Sequence, residues 1–524
     1  ASGGRVDRAQ RLQFTFDGKT FEGVQGDTLA SALLANGVHL VGRSFKYHRP
    51  RGILTAGAEE PSALVTVRRD AARCTPNLRA TQVELYDGLC AESQNRWPSL
   101  RFDIGRINDL LSPLFPAGFY YKTFMWPRTA WAALYEPLIR STTGLGRAPA
   151  LPDPDRYANL YAHCDVLVIG AGPSGLAAAL SAADGGARVI LCDEQAEPGG
   201  SLLTESSARI DGLTTKIWLE RTVAALTVHP RLRLLPRTTA FGYFPHNLIG
   251  LNERLTDHLA DPHSGRARER MWQVRAREVV LATGAIEQPL VFPGNDRPGI
   301  MLAGAAHAYL KRYGVRAGSR AVVVTTTDSA YQAALDLHAA GVQVAVIADL
   351  RGNANGALPE AARRAGIAVL ACAEVCGTQG NLRVTGIQLG IADNHGHVQR
   401  RSLSCDLVLM SGGFTPSVHL FSQSRGKLNW NEGARAFVPG ASAEHERSAG
   451  ACRGVNGLAA ALEDGAAAGA AAAKTSGHEG VVHHFEVMSG DAGAEMPASA
   501  LPRATAGTGS KAFVDWQNDV TTND

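Results

Sequence analysis

The chain has 524 residues, of which 45% are hydrophobic, and a formal charge of +3. This length exceeds what one hydrophobic core usually organises, so we expect about two to four domains. So small a charge, spread over the whole sequence, forms no basic stripe and argues against a nucleic-acid partner. The sequence shows no apolar run of membrane-spanning length and no secretory signal, which predicts a cytoplasmic protein.

The 8 cysteines are scattered along the sequence, and the 16 histidines form no metal-binding motif. Structural zinc sites require closely spaced pairs of such ligands, and disulfide-rich domains require many cysteines in a short chain. We therefore predict neither a metal site nor a disulfide framework.

Residues 1–80 predict a small β-grasp domain, with the elements in the order strand 12–16, strand 20–24, helix 29–36 and strand 63–68. This order resembles plant-type ferredoxins, which hold a two-iron cluster through a C-x4-C-x2-C loop. The corresponding positions are Ala56, Pro61 and Leu64. Because none of these side chains is a thiolate, the domain is predicted to lack its cluster.

Residues 81–161 are rich in aromatic residues and proline, including Trp97-Pro98 and Trp126-Pro127. Such a stretch rarely forms a core of its own, so we predict that it wraps neighbouring domains or contacts a partner. An aromatic cage for a methylated amine is the alternative. We favour the first interpretation, because aromatic residues beside prolines need burial in any case.

Residues 162–487 predict a nucleotide-binding domain. An apolar strand leads into Gly170, Gly172 and Gly175 and then into an alanine-rich helix, the opening of a dinucleotide-binding βαβ unit. Gly170 permits the tight turn, Gly172 lets the backbone approach a pyrophosphate, and Gly175 lets the helix pack close to the strand. The next strand brings Asp193 and Glu194 to where an acid meets the ribose hydroxyls. This context predicts a dinucleotide site formed by 162–290 and 440–487.

Residues 291–439 predict a second half in which the same site has degenerated. The positions of its three glycines are occupied by Thr325, Thr327 and Ala330. Each replacement adds a Cβ where backbone and phosphate must nearly touch. The fold class is therefore predicted as α/β, a two-dinucleotide-domain Rossmann fold of the glutathione-reductase type that holds one dinucleotide.

The chain's return to the first site separates two possible ligands. In flavoproteins of this type the return reads Gly-Asp, and the aspartate contacts the flavin nucleotide. Here the pair is Gly450-Ala451, and the loss of the carboxylate favours NAD over FAD. Residues 488–524 follow, with a composition that predicts a linker toward a further domain.

Five blocks of sequence resemble the alpha subunits of heterotetrameric sarcosine oxidases. They are 42–52 (GRSFKYHRPRG), 93–99 (SQNRWPS), 117–126 (AGFYYKTFMW), 294–304 (GNDRPGIMLAG) and 511–519 (KAFVDWQND). The fourth block is shared with opine, hydroxyproline and cyanide-forming amine oxidoreductases. In the family the alpha chain is about twice this long, and its second half resembles a folate-binding aminomethyltransferase. The resemblance implies that this chain corresponds to the first half, as a fragment or as a split subunit.

The resemblance implies a complex that oxidatively demethylates sarcosine to glycine, formaldehyde or methylenetetrahydrofolate, and hydrogen peroxide. It implies NAD on this chain, FAD and FMN on the beta subunit or at its interface with this chain, and tetrahydrofolate on the missing half. Zinc is implied on the delta subunit, and the beta, gamma and delta subunits are the implied partners. It also implies no catalytic residue here, since amines are oxidised on the beta subunit.

The expected NAD contacts form the glycine turn, the ribose-binding acids and the returning loop. They are Gly170, Ala171, Gly172, Ser174, Gly175, Asp193, Glu194, Gln195, Gly200, Ser201, Ala240, Thr283, Gly284, Gly450, Ala451, Asn456 and Leu458. Two other hypotheses remain open. One is an FAD-binding subunit of a related opine, hydroxyproline or secondary-amine dehydrogenase, and the other is a scaffold whose site is empty.

Overall fold

The computed structural model describes residues 3–112, 118, 125–142, 144, 146–262, 265–392, 397–488 and 511–524. The chain forms two compact units, one made of 1–154, 289–412 and 501–524 and the other of 155–288 and 413–500. Within the described ranges, no helix is both long enough and apolar enough to cross a membrane.

The N-terminal domain is a five-stranded mixed sheet with one helix. In spatial order the strands are Lys19–Gln25, Asp7–Phe16, Leu89–Ser93, Leu64–Arg68 and Cys74–Arg79. Helix Leu29–Ala35 begins after Thr28, whose side chain accepts the Ser31 N–H while the Ser31 hydroxyl accepts the Thr28 N–H. Six of its seven residues are buried. The central strand lies beyond the predicted boundary at residue 80, because Leu89–Ser93 pairs with both neighbouring strands.

The stretch from 42 to 142 adds short elements outside this sheet. They are strands Gly42–Arg43 and Pro50–Arg51, the 3-10 turn Ile104–Arg106, helix Ile107–Leu110, the π-helical turn Trp131–Tyr135 and helix Glu136–Thr142. Several large side chains here are exposed, including Leu110 at 82% and Trp126 at 84%. That this segment wraps its neighbours or meets a partner stays a prediction, and residues 113–117 and 119–124 of it lie outside the described ranges.

The predicted second half is a parallel five-stranded sheet in the same unit. Its strands, in spatial order, are Ile300–Leu302, Leu407–Ser411, Arg320–Thr325, Gln343–Asp349 and Val369–Leu370. Helices Ala303–Tyr313, Ser329–Ala339 and Ala357–Arg364 connect them, and an antiparallel sheet of Ala373–Gly380, Val384–Ala392 and Val398–Ser404 follows. Because parallel strands are covered on both faces, they are continuous apolar runs in the sequence.

Residues 511–524 form a hairpin of strands Phe513–Asp515 and Val520–Thr521. Phe513 and Asp519 are fully buried, so this part of the predicted linker is packed structure. Its polar composition was misleading because Asp519 is buried by basic partners rather than hydrated. Residues 489–510 of the predicted linker lie outside the described ranges.

The other unit contains the first dinucleotide half, built on a seven-stranded sheet. Its strands run in the spatial order Leu232–Leu235, Val189–Cys192, Tyr157–Ile169, Glu269–Leu281, Leu248–Arg254 and Thr238–Phe244, with Glu446–Ser448 also pairing with Glu269–Leu281. Helices Pro173–Asp184, Thr215–Val228 and Leu458–Thr475 pack on one face, against Val166, Val168, Val189 and Leu191. The alternate strand residues, such as Leu167 and Ile169, pack on the other face with Phe421.

Shorter elements complete this unit. They are strands Arg209–Ile210, Leu213–Thr214, Ala285–Glu287, Phe414–Pro416, Leu428–Asn431, Ala436–Pro439 and Val487–Met488, helix His419–Gln423, and the 3-10 turns Gly200–Leu203 and Gly450–Arg453. The chain rejoins this unit at residue 413, whereas the sequence placed the return at 440, because Phe414–Pro416 pairs with Ala285–Glu287. The predicted α/β class is confirmed, with its β-grasp domain and two Rossmann halves.

Candidate dinucleotide-binding site

The three motif glycines differ in what surrounds them. Gly170 has φ +99°, and a Cβ there would lie 2.3 Å from the carbonyl oxygen of Ala282. At Gly175 a Cβ would lie 1.7 Å from the carbonyl oxygen of Gly170. At Gly172 the nearest atom would be the Cα of Gly200, 4.0 Å away. The fold therefore requires glycine at Gly170 and Gly175, whereas Gly172 borders open space.

The carboxylate of Asp193 holds the glycine turn in place. Asp193 follows strand Val189–Cys192, and its Oδ2 accepts the N–H of Ala171 at 2.7 Å while its Oδ1 accepts the N–H of Gln195 at 2.8 Å. An ionised carboxylate can accept about four hydrogen bonds, so both contacts are compatible with a ribose hydroxyl as a further donor. Sequence reasoning assigned this acid only to the ribose; its second task of fixing the turn was missed.

Backbone contacts tie the segment after Asp193 to the neighbouring strand. The carbonyl of Asp193 accepts the N–H of Thr238 at 2.7 Å, and the carbonyl of Gln195 accepts the N–H of Arg237 at 2.9 Å. The guanidinium of Arg254 donates to the carbonyl of Glu194 at 3.0 Å. These bonds place the strand that carries Ala240 beside Asp193 and Glu194.

The segment after strand Val189–Cys192 returns to the glycine turn. The N–H of Gly199 donates to the carbonyl of Ala171 at 2.8 Å. Gly200, with φ +54°, begins the 3-10 turn that also carries Ser201, and a Cβ on Gly200 would lie 2.9 Å from the Cα of Gly172. Gly200 and Ser201 thus form the wall opposite Gly172.

The returning loop closes the site from a third side. Gly450 has φ +72°, and a Cβ there would lie 2.1 Å from the Oγ of Ser174. Its N–H donates to Asp464 at 2.8 Å, and Asp464 also contacts Arg453 at 2.8 Å. The next residue, Ala451, is half-buried and contributes only a methyl group. Asp464, the acid bound to this turn, was not anticipated from the sequence.

Two helices meet at backbone contact behind the site. A Cβ on Gly465 would lie 2.1 Å from the carbonyl oxygen of Ser174, and one on Gly469 would lie 2.1 Å from that of Ala178. Helix Leu458–Thr475 therefore crosses helix Pro173–Asp184 with no side chain between the two backbones at these points. At its start, Asn456 is exposed and Leu458 is half-buried.

Thr283 and Gly284 follow Ala282, whose carbonyl faces Gly170. The Thr283 hydroxyl donates to the carbonyl of Ser417 at 2.8 Å, and the N–H of Ser417 donates to the carbonyl of Gly284 at 3.0 Å. The expected contact residues therefore lie on segments that contact the glycine turn or each other. Which of them touch a nucleotide stays a prediction.

The corresponding turn of the second half is filled by its own side chains. Thr325 and Thr327 are fully buried, and the Thr325 hydroxyl both accepts the Thr327 N–H at 2.9 Å and donates to the Thr327 carbonyl at 3.0 Å. The Thr327 hydroxyl donates to Ser411 at 3.1 Å. Hydroxyl and methyl groups thus occupy the volume that glycines leave for a diphosphate.

Asp349, the acid at the end of strand Gln343–Asp349 in this half, already has partners of its own. Asp349 is fully buried, and Arg351 donates to both of its carboxylate oxygens, with contacts at 3.0 and 2.7 Å. Arg351 also bonds Asp328 at 2.6 Å, and the hydroxyl of Tyr331 donates to Asp349 at 2.7 Å. Burial lowers the pKa of Arg351, but the contacts to Asp349 and Asp328 outweigh it and raise the pKa, so the arginine stays charged and offsets one of the two negative charges. Nothing in the motif pattern singled out Arg351.

The loop at the predicted cluster position surrounds a carboxylate. Glu60 is 1% exposed. One of its oxygens accepts the N–H groups of Leu54 and Thr55 at 2.9 and 2.7 Å, and the other accepts those of Ser62 and Ala63 at 2.8 and 3.0 Å. Burial raises the pKa of Glu60, and the backbone donors oppose that shift. Over the described residues, no cluster of histidine, cysteine and acidic side chains has an arrangement that could hold a metal ion.

A family model described as pyridine nucleotide-disulphide oxidoreductase matches residues 164–439, from the first strand of the glycine motif through the second Rossmann half. The chain belongs to this family. A second model, described as a 2Fe-2S iron-sulfur cluster binding domain, matches residues 9–96. This match extends the N-terminal domain to the central strand Leu89–Ser93.

The sarcosine oxidase alpha subunit of Rhizobium meliloti (strain 1021) is 50% identical over 519 residues, which are 99% of this chain and 51% of the relative. The corresponding protein of Corynebacterium sp. (strain P-1) is 41% identical, over 99% of this chain and 50% of the relative. An opine oxidase subunit of Agrobacterium tumefaciens (strain Ach5) is 31% identical, over 52% of this chain and 57% of the relative. The chain thus spans about half the length of the sarcosine oxidase alpha subunits it matches.

The resemblance inferred from the five sequence blocks is confirmed, and the chain is a homologue of the N-terminal half of the sarcosine oxidase alpha subunit. Among solved structures, L-proline dehydrogenase from P. horikoshii aligns with a TM-score of 0.60 at 19% identity, over 90% of this chain and 75% of that one. At that identity the likeness concerns the fold. The relatives support an oxidoreductase subunit with a dinucleotide-binding fold.

Proposed function

We propose that this chain is the NAD-holding part of the alpha subunit of a sarcosine oxidase-type complex. In this proposal the complex demethylates sarcosine oxidatively to glycine, formaldehyde or methylenetetrahydrofolate, and hydrogen peroxide. The beta, gamma and delta subunits are its partners, and this chain helps form the interface that contains the flavins. Amine oxidation and the FAD and FMN belong to the beta subunit, tetrahydrofolate to the second half of the alpha subunit, and zinc to the delta subunit.

The proposal rests on the contrast between the glycine turn at 170–175 and the corresponding turn of the second half at 325–330. The first turn leaves open space at Gly172, while Thr325 and Thr327 fill the equivalent space in the second. A diphosphate needs backbone N–H groups at a helix N-terminus and no Cβ in the way. One turn of the two meets both conditions.

In this proposal each wall of the first site has one task. The N–H groups at the start of helix Pro173–Asp184 bind the pyrophosphate, while Asp193 and Glu194 orient the adenosine ribose. The walls formed by Gly200, Ser201, Ala240 and the returning loop exclude water from the rest of the bound NAD. NAD supplies a nicotinamide ring that accepts hydride from a suitably placed donor. The family resemblance assigns it no such transfer, and we propose a structural role.

Ala451 supports NAD rather than FAD. An aspartate at this position would offer a carboxylate to the flavin nucleotide, whereas alanine offers only a methyl group. Asp464, the acid attached to the same turn, accepts the N–H of Gly450 and pairs with Arg453. The likeness to the opine oxidase chain over 52% of this sequence supports the second candidate, an FAD-binding subunit of an opine, hydroxyproline or secondary-amine dehydrogenase.

The nucleotide released by denaturing the purified full chain distinguishes these candidates. We expect NAD by mass spectrometry and no flavin absorbance before denaturation. Flavin absorbance together with released FAD would replace the first candidate by the second. A chain that neither releases a nucleotide nor binds added NAD would leave only the hypothesis of an empty scaffold.

A Gly172→Val variant tests the position of the ligand. Gly172 has φ −74° and ψ −172°, which any residue can adopt, and its Cβ would meet no atom closer than 4.0 Å. The variant should therefore fold normally but retain NAD about tenfold more weakly, equivalent to ~1.4 kcal/mol.

Gly377→Val is the matched control, because a Cβ at Gly377 also meets no atom within 4 Å. It should retain NAD like the wild type. Equal retention of NAD by the two variants would contradict the assigned site, since the added side chain at Gly172 would then lie away from the ligand.

A further inference from the structure

An open polar cleft lies in the unit that contains the N-terminal domain. It opens to solvent and is lined by Arg49, Pro50, Arg106, Arg297, Asp109, Asp296 and Asn381. These residues come from the blocks 42–52 and 294–304, from the 3-10 turn Ile104–Arg106 and helix Ile107–Leu110, and from the bend after strand Ala373–Gly380. The proposed function uses none of them.

The acids around this cleft already have basic partners. The pairs are Asp109 with Arg49 at 3.0 Å and Lys511 at 2.6 Å, Asp296 with Arg49 at 2.6 Å and Arg51 at 2.9 Å, and Asp519 with Arg51. Three carboxylates therefore balance three cations. Any further basic side chain in the cleft adds uncompensated positive charge.

Two such side chains are present, those of Arg106 and Arg297. The guanidinium of Arg297 donates to the Thr378 hydroxyl at 3.0 Å and to the carbonyl of Gly380, both uncharged acceptors. The exposed Arg106 side chain forms neither a hydrogen bond nor an ion pair with any residue that the structure describes. Burial lowers the pKa of Arg297 against the opposing pull of Asp296, and the charges of Arg49 and Arg106 lower it further.

We propose that the cleft binds a phosphate group between Arg106 and Arg297, with the amide of Asn381 as an additional donor. Guanidinium groups match the geometry of phosphate oxygens and can donate two parallel hydrogen bonds to them. The two uncompensated charges equal the charge of a phosphate dianion, which a monocarboxylate would balance only by half. Because the cleft opens to solvent, the phosphate can be free or can be the end of a larger ester.

Titration of the full chain, with its nucleotide retained, tests this proposal. Inorganic phosphate and glycerol phosphate are each followed by calorimetry, together with acetate, at low ionic strength. We expect saturable binding of both phosphates, little binding of acetate, and weakening with added salt. Tighter binding of glycerol phosphate would identify an ester as the ligand, and tighter binding of inorganic phosphate would identify the free ion.

Arg106→Gln is the decisive variant, since its exposed side chain makes no contact on which folding depends. We expect it to weaken phosphate binding about tenfold. Arg221→Gln, on the exposed face of helix Thr215–Val228, should bind like the wild type and controls for net charge. Equal affinity of the two variants, or the absence of saturable phosphate binding, would overturn the proposal. Neither result depends on which nucleotide occupies the glycine turn.

Discussion

Residues of the same type have different roles in this chain, and these roles depend on their neighbours. Gly170 and Gly175 are required because backbone oxygens occupy the space where a Cβ would lie, whereas Gly172 borders a volume that a ligand can use. The sequence pattern identified all three positions, because their spacing follows from the strand, turn and helix. It could not identify Asp464, which bonds Gly450 and Arg453 on a separate turn, or Arg351, which links the adjacent Asp349 to the distant Asp328.

Glu60 illustrates how a single buried residue can organise a loop. Its two oxygens accept four backbone N–H groups from the segment that corresponds to a cluster-binding loop. In ferredoxins, thiolates and a cluster fill that segment. Here a carboxylate supplies the negative charge toward which the N–H groups point.

Replacing Glu60 by Gln should destabilise the N-terminal domain. Glutamine keeps one acceptor oxygen but turns an NH2 group toward two backbone donors, which leaves buried N–H groups unsatisfied. We expect a loss of about 2–4 kcal/mol in the free energy of unfolding. Amide hydrogen exchange at residues 54, 55, 62 and 63 would measure it locally.

Glu22→Gln provides the comparison, because Glu22 lies on the same domain with its side chain 62% exposed. Its effect should stay within about 0.5 kcal/mol. If the four loop amides of Glu60→Gln exchange no faster than those of Glu22→Gln, the carboxylate does not hold the loop.

At the scale of elements, the hairpin 511–524 is attached to the loop 42–52 by charge. Asp519 accepts the N–H groups of Lys46 and Tyr47 at 2.8 and 2.9 Å and pairs with Arg51. The ring of Phe513 lies under the Arg51 guanidinium, 4.6 Å from its carbon to the ring centroid. The hairpin therefore belongs to the folded unit rather than to a linker.

An Asp519→Asn substitution should loosen this hairpin. Asparagine retains the shape but removes the charge, which leaves the buried guanidinium of Arg51 with only Asp296 as its acid. Removing one member of a buried ion pair costs about 3–5 kcal/mol, and the isosteric amide should place this variant at ~3 kcal/mol. Urea denaturation and proteolytic susceptibility of 511–524 would measure the change.

Asp515→Asn is the matched variant on the same hairpin. Asp515 accepts the N–H groups of Gln517 and Asn518 in an exposed turn, so its loss should cost about 1 kcal/mol or less. Comparable destabilisation by the two substitutions would contradict the role given to the buried charge.

The sequence anticipated these elements unequally. Strands such as Val189–Cys192 and Arg320–Thr325 were predictable because parallel strands buried on both faces are continuous apolar runs. Leu89–Ser93 and the hairpin 511–524 were not, since each mixes polar with apolar residues. Their place in the fold depends on partners distant in sequence. Leu89–Ser93 pairs with strand Asp7–Phe16, and the hairpin bonds to the loop 42–52.

At the scale of the whole molecule, the two Rossmann halves have diverged in opposite ways. One keeps an open glycine turn, and the other has closed its turn with threonine hydroxyls and a neutralised Asp349. The second half thus retains its sheet and helices without the features that bind a diphosphate. The sequence predicted this difference from three substitutions, although the part played by Arg351 required the structure.

The nucleotide content of the full chain should reflect this difference. We expect one dinucleotide per chain, by native mass spectrometry with a saturating concentration of NAD. At subsaturating NAD, Gly172→Val should lower the occupancy of this one site, as expected for about tenfold weaker binding, while Thr327→Ser, which keeps the hydroxyl, should leave the occupancy unchanged. Two bound dinucleotides on the wild type would show that the second turn opens after all.

The backbone contact of Gly465 and Gly469 with helix Pro173–Asp184 also has a consequence for biosynthesis. The glycine turn leaves the ribosome early, but the helix and loop that complete its third wall are translated long afterwards. Domains generally fold as units once their sequence has emerged. Under the proposed function, a nascent chain would therefore complete its nucleotide site only near the end of translation of this unit.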